Sequence, residues 1–311
     1  MRSPRTTVVL SLTLAVAVLT APTLLRAQGT DFDAVEIEVT TLADGVHMLV
    51  GAGGNVGIST GGDGAVLIDD QFAPLTERIL AAVAELGGAT PRFVLNTHWH
   101  FDHTGGNENL GRAGVVILAH ENVRRRMSVE QVMEAFGRTI PASPPVALPS
   151  LTFTESTTLH WNGQTLRAFH VPAAHTDGDT IVHFVEADVV HMGDVFFNRS
   201  YPFIDVGSGG SLDGVIAAVE RALELCGEAT RIIPGHGPLA DRADLERYLE
   251  MLRTVRRRVA EKVEMGWSRE KILASDATAD LDADWGGSGP RRDLLVNVAL
   301  DAAGAASDVS E

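Results

Sequence analysis

Cysteine is almost missing from this chain: Cys226 stands alone among 311 residues, so no intramolecular disulfide can form and the apolar core must hold the fold. It closes an apolar helical stretch and reads as a buried, inert thiol. Positive charge is scarce as well, with 25 Lys and Arg against 41 Asp and Glu and a formal net charge of −16. A field of that sign repels a phosphate backbone, which argues against a nucleic-acid partner, and Arg124-Arg125-Arg126 and Arg256-Arg257-Arg258 read as solvated helix faces. Beyond residue 27 no run is long and apolar enough to form a membrane helix. Internal repeats and linkers are lacking too. The glycine-rich run Gly51-Ala52-Gly53-Gly54-Asn55 lacks the lysine and the following helix of a phosphate cradle, so it reads as a flexible hairpin loop able to close over a groove.

The first residues have a different character. Arg2 and Arg5 precede an apolar run from Val8 to Leu25, and Leu25-Arg26-Ala27 has the small-residue ending of a cleavage site. Residues 1–27 are therefore expected to be a signal peptide and 28–311 the mature domain, periplasmic or secreted. Ser11, Thr13, Thr20 and Pro22 interrupt the run and favour cleavage over a retained anchor, leaving no stable membrane insertion. Loss of Arg2, Arg5 and Arg26 leaves 22 basic against 41 acidic residues, a mature charge of about −19. The remaining length of about 284 residues suits one large domain rather than a string of modules.

What the chain does have is metal-ligating chemistry at high local density. His98-Trp99-His100-Phe101-Asp102-His103 packs four metal-capable side chains into six residues, directly after the apolar strand Phe93-Val94-Leu95. Imidazole and carboxylate donors suit zinc, which takes three or four converging ligands. In an extended stretch residues two apart point the same way, so His98 and His100 can share one ion while Asp102 and His103 turn toward a second. Further donors follow apolar stretches at His175, Asp194 and His236. Seven donors at four places are too many for one ion. His47, His120, His160, His170, His183 and His191 are read as structural.

His98 to His103, Ala173-Ala174-His175-Thr176, Met192-Gly193-Asp194-Val195 and Ile233-Pro234-Gly235-His236-Gly237, in that order and at these intervals, resemble the metal-binding motifs of the metallo-β-lactamase-fold hydrolases. The resemblance runs over residues 36–260. It implies one zinc on His98, His100 and His175, a second on Asp102, His103 and His236, and Asp194 bridging them. It also implies an α/β fold, the four-layer αβ/βα sandwich, as a single domain. Nucleases that process RNA share that fold, so the acidic charge matters to the choice among relatives.

Local patterns agree with such an arrangement. Val35 to Val50 alternates like a strand, Ala65 to Asp69 reads as a buried strand ending in acids, and Leu75 to Leu86 as a helix. Residues 121–138 are expected to be helical and Pro141 to Pro149 a connector. Asn162-Gly163 marks a hairpin within Leu151 to Val171. Short strands at Ile181–Val185, Val189–His191 and Ile232–Ile233 frame the later ligands. Helices are expected over Leu212–Leu225, 243–265 and 291–303.

Two zinc ions would bring the pKa of a shared water from roughly 16 to about neutral, so the expected nucleophile is a metal-bound hydroxide that Asp102 orients as the catalytic carboxylate. The expected function is thus an exported dizinc hydrolase that opens an amide or ester bond of a small molecule, β-lactamase-like in the spacing His175-Thr176 to Ile181-Val182. Asp194 stands where the best-known β-lactamase branch has cysteine, and Phe197 and Asn198 occupy the region where those enzymes carry a substrate-gripping lysine. A periplasmic lactone or thioester hydrolase with glyoxalase II-like chemistry therefore stays open, as does a zinc-binding accessory protein of a periplasmic oxidation pathway. Loops 51–55 and 198–210 are expected to wall the groove.

Overall fold

The computed structural model describes residues 30–286 and 290–304. The expected signal peptide lies outside them. From Phe32 onward the chain forms one unit, built in chain order from β1 (Glu38–Ala43), β2 (Val46–Val50), β3 (Val56–Ser59), β4 (Val66–Ile68), α1 (Thr76–Glu85), β5 (Phe93–Asn96), α2 (Phe101–Thr104), α3 (Asn107–Arg112), β6 (Val116–His120), α4 (Glu121–Met127), β7 (Gln131–Met133), β8 (Arg138–Ile140) and β9 (Leu151–Phe153). The second half supplies β10 (Ser156–Trp161), β11 (Gln164–His170), β12 (Thr180–Phe184), β13 (Val189–His191), α5 (Leu212–Leu225), β14 (Arg231–Ile233), α6 (Arg242–Glu264), α7 (Arg269–Leu273) and α8 (Pro290–Ala302).

Seven strands form one sheet in the order β1-β2-β3-β4-β5-β6-β9, and five form another in the order β10-β11-β12-β13-β14. Side-chain alternation along the buried strands sets the layers. Val66 and Ile68 of β4 and Leu95 of β5 face Val182 and Phe184 of β12 and Ile233 of β14 in a core between the sheets. The intervening Leu67 and Val94 point the other way, onto Leu75, Ile79 and Val83 of the first helical layer. Ile181, Val190 and Ile232 face outward from the second sheet onto Val215, Val219, Leu245 and Leu252 of α5 and α6. Strands buried on both faces read as unbroken apolar runs, and the result is the expected four-layer αβ/βα sandwich.

Two local expectations need correction. Val35 to Val50 is not one strand: β1 and β2 pair antiparallel through a turn at Asp44-Gly45, where Gly45 adopts φ +67. An Asp-Gly pair is a strong hairpin signal, and the surrounding alternation masks it. The expected helix over 121–138 stops at Met127. Ser128 caps α4, and the chain returns as the hairpin β7–β8, turned by Gly137 at φ +57. Val129, Val132 and Phe136 have helical spacing but lie in solvent rather than on a buried face. Among the described residues no helix is long and apolar enough to cross a membrane.

Candidate metal centre

The seven ligand candidates arrive at one edge of the two sheets from strand ends and the turns that follow. The chain leaving β5 stays extended through His98 and His100, then coils into α2, which turns Asp102 and His103 to a different face. His175 follows β11, Asp194 sits in the short turn after β13, and His236 follows β14. The side chains form two groups, His98, His100, His175 and Asp194 in one and Asp102, His103 and His236 in the other, with ligand atoms of each group within 4.8 Å of one another. All seven positions singled out in the sequence are brought together.

Hydrogen bonds fix which nitrogens face inward. Thr97 Oγ1 spends its proton on Asp69 Oδ2 at 2.7 Å, so it accepts from His98 Nδ1 at 3.1 Å and leaves His98 Nε2 without a proton. His100 Nε2 donates to Asp205 Oδ2 at 2.9 Å, and His175 Nδ1 donates to the Phe203 carbonyl at 2.8 Å. Three lone pairs are then turned on one another: His100 Nδ1 lies 3.1 Å from His98 Nε2 and 2.9 Å from His175 Nε2. Buried lone pairs at that distance repel unless a cation lies among them. Zinc with nitrogen bonds of about 2.0–2.1 Å spaces tetrahedral ligands roughly 3.3 Å apart.

In the second group His103 Nδ1 donates to Asp69 Oδ2 at 2.8 Å, which turns its Nε2 toward Asp194 Oδ1 at 3.0 Å and His236 Nε2 at 3.4 Å. Asp102 Oδ2 lies 3.3 Å from His236 Nε2 and 3.8 Å from His103 Nε2. Asp194 divides its oxygens between the groups: Oδ2 is 3.8 Å from His98 Nε2 and 3.6 Å from His175 Nε2, and Oδ1 faces His103 and His236. That Oδ1 is buried without a hydrogen-bond partner.

Electrostatics point the same way. Burial holds His98 well below its ordinary pKa and takes His175 down to about 4. Burial also opposes charge on His103 and His236, yet Asp194 and Asp102 overcome it, raising His103 well above the usual imidazole range and His236 to about 9. Burial pushes the two carboxylates upward, but these histidines prevail, holding Asp102 at about 2 and Asp194 well below the usual range. Excess carboxylate charge thus draws protons onto imidazoles, and a divalent cation would displace them. The donor set, the facing lone pairs and the Asp194 carboxylate shared between the two groups all fit metal.

Several supporting residues went unnoticed in the sequence. Asp69 orients His103 and Thr97, and the only signal for it was an acid at the end of a buried strand. Asp205, also held by Ser208 Oγ at 2.6 Å, orients His100 from a loop without a motif. Replacing Asp205 with alanine should weaken metal binding at the first group about 10–100-fold, because the ring loses the acceptor that fixes its tautomer. Competition with a chromogenic chelator measures this. The expected flexible loop at 51–55 is instead pinned beneath the site: Gln71 Nε2 donates to the Gly54 carbonyl at 2.6 Å, and Asn55 Nδ2 donates to the carbonyls of Pro234 and Gly237 at 2.9 Å. Loop 198–210 does border the site, through Phe203 and Asp205. Gly57-Ile58-Ser59-Thr60-Gly61 has the spacing of a serine-hydrolase elbow, but Ser59 is buried within β3, bonded to Asn162, and not at a strand-to-helix turn. Cys226 is buried, and burial raises its thiol to about 11, as suits an inert residue.

The sequence profile described as the Metallo-beta-lactamase superfamily matches residues 49–263. An acyl-coenzyme A thioesterase of Gallus gallus is 25% identical over 170 residues, 50% of this chain and 60% of that protein. A hydroxyacylglutathione hydrolase of Rhodospirillum rubrum is 31% identical over 159 residues, 49% of this chain and 54% of that protein. The chain thus spans little more than half the length of these curated relatives. Among solved structures, a metallo-beta-lactamase from Pontibacter korlensis superposes with a TM-score of 0.58 at 23% identity, covering 70% of this chain and 99% of that one, a likeness of fold.

Proposed function

This chain belongs to the metallo-beta-lactamase superfamily, and from that premise we propose that it is an exported dizinc hydrolase of a small-molecule ester or thioester. The observation that carries the reading is Asp194, whose two carboxylate oxygens face different histidine groups. His98, His100 and His175 would hold one ion and Asp102, His103 and His236 the other, with Asp194 shared. Zinc there would supply Lewis acidity toward the attacked carbonyl and toward water, whose deprotonation it permits near neutral pH.

The chain's own residues provide direction and order. Only Asp102 and His236 among the seven reach solvent appreciably, with side chains 22% and 24% exposed, so substrate meets the centre from that side. Asp102 is the carboxylate able to accept a hydrogen bond from the attacking water and hold its lone pair toward the carbonyl. The buried histidines, oriented by Asp69, Asp205 and the Phe203 carbonyl, keep the cluster rigid while charge changes within it.

Ester and thioester chemistry is placed first because a carboxylate at Asp194 replaces cysteine and because the curated relatives named above carry thioesterase and glutathione-ester hydrolase names. A β-lactamase is the second reading, favoured by the His175-Thr176 to Ile181-Val182 spacing and by export, which would place the enzyme where β-lactams arrive and cytosolic thioesters are scarce. Zinc-loaded and chelated protein should be compared on a thioester, a lactone and a chromogenic cephalosporin. We expect chelator-sensitive turnover, faster on the thioester or lactone. Efficient cephalosporin opening would establish the second reading. No turnover by protein with its metal bound would leave the accessory-protein role.

A further inference from the structure

The hairpin β7–β8 belongs to neither large sheet, since its strands pair only with each other. It nonetheless holds apolar side chains in water, with Val132 61% and Phe136 52% exposed. Two contacts place it beside the metal centre. The Phe136 ring lies 4.8 Å from that of Phe203, which in turn lies 6.0 Å from His100 and 5.7 Å from His175. Arg138 sets its guanidinium 5.8 Å above the ring of Phe101, the neighbour of Asp102, and has no carboxylate partner among the described residues. The hairpin therefore packs on Phe101, next in sequence to Asp102, and on the aromatic ring that backs the buried histidines.

We propose that this hairpin, rather than the pinned glycine-rich loop, is the wall that selects the substrate, and that Phe136 packs against an aliphatic acyl chain. The proposal rests on the acyl-hydrolase reading and narrows it to substrates with an apolar acyl group. Phe136 is the residue suited to the task because it is the exposed ring whose other neighbour touches the ligand histidines. Arg138 over Phe101 holds the hairpin against α2, beside the cluster. An alkyl chain lying along the exposed Phe136 ring, which packs on the buried Phe203, would cover apolar surface that is otherwise left in water.

The test uses zinc-loaded protein and two readouts along one chain-length series. The first is kcat/KM for acetyl, butyryl, hexanoyl and octanoyl thioesters. The second is calorimetric binding of acetate, butyrate, hexanoate and octanoate, which requires no turnover. In the wild type both should strengthen with chain length. Phe136→Ala should lower the octanoyl-to-acetyl ratio about 10–30-fold in each readout, acting through KM, and Phe136→Leu should recover most of it. Equal losses for short and long chains would mark a structural role and overturn the proposal, as would a wild type without chain-length preference in binding. Chain-length-dependent binding that Phe136→Ala abolishes, with no thioester turnover, would keep the hairpin assignment and sink the acyl-hydrolase reading.

Discussion

Asp102→Ala is expected to lower kcat by about 10³ at saturating zinc, with the thermal unfolding midpoint nearly unchanged. The side chain projects from the short α2 and its carboxylate faces the His103 and His236 imidazoles, so the apolar layers lose nothing. A weaker second metal group accompanies the change, and excess zinc separates the two effects: restored occupancy without restored turnover assigns Asp102 to orienting water. Steady-state kinetics over a zinc titration, with calorimetry for the fold, makes the measurement. Turnover that recovers fully as zinc rises would reduce Asp102 to a ligand.

A methyl group added where the backbone passes closest to the cluster should be nearly as damaging. A Cβ on Gly54 would lie 2.0 Å from His103 Cε1 and 2.3 Å from its Nε2. His103 is fully buried and held from behind by Asp69, so the ring cannot step aside. A Cβ on Gly235 would meet Asp194 Oδ1 at 2.1 Å and the backbone carbon of Gly193 at 2.5 Å. Gly54→Ala should therefore bind at most one ion per chain, and Gly235→Ala should disturb both groups because it displaces the shared carboxylate. Overpacking of this kind costs about 1–3 kcal/mol of stability, modest beside the loss of metal and turnover. Elemental analysis of the purified variants, with chemical denaturation, checks both parts. Two ions per chain in Gly54→Ala would show that His103 is not fixed as described.

The candidate metal ligands at His98 to His103 are legible because ligation needs particular side chains at short spacing, and this segment compresses that demand into six residues. Isolated donors such as His175, Asp194 and His236 are legible only through the resemblance, with which their glycine- and proline-marked settings are in register. The residues that orient the ligands are not legible. Asp205 lies 105 positions from His100 in sequence, and no local pattern distinguishes a carboxylate that accepts one imidazole proton from any turn carboxylate. The layer order came with the resemblance, and strands such as β4 and β12, whose successive side chains serve two cores, agree with it. The hairpin β7–β8 is not legible in the sequence, since Val129, Val132 and Phe136 recur at helical spacing yet stand exposed, with Phe136 against Phe203. In the sequence Gly54 suggests freedom, whereas in the structure it gives closeness, since only a residue without Cβ lets the chain pass the His103 ring.

Asp194 sits between the two candidate groups, and the proposed centre holds two ions joined by it. Its most direct test is zinc content per chain, by native mass spectrometry with elemental analysis, in the wild type and in Asp194→Ala after equilibration with excess zinc and removal of loosely bound metal. Two tightly bound ions per wild-type chain and fewer than two in the variant are expected. A single ion in the wild type, or two held equally tightly without Asp194, would contradict that centre.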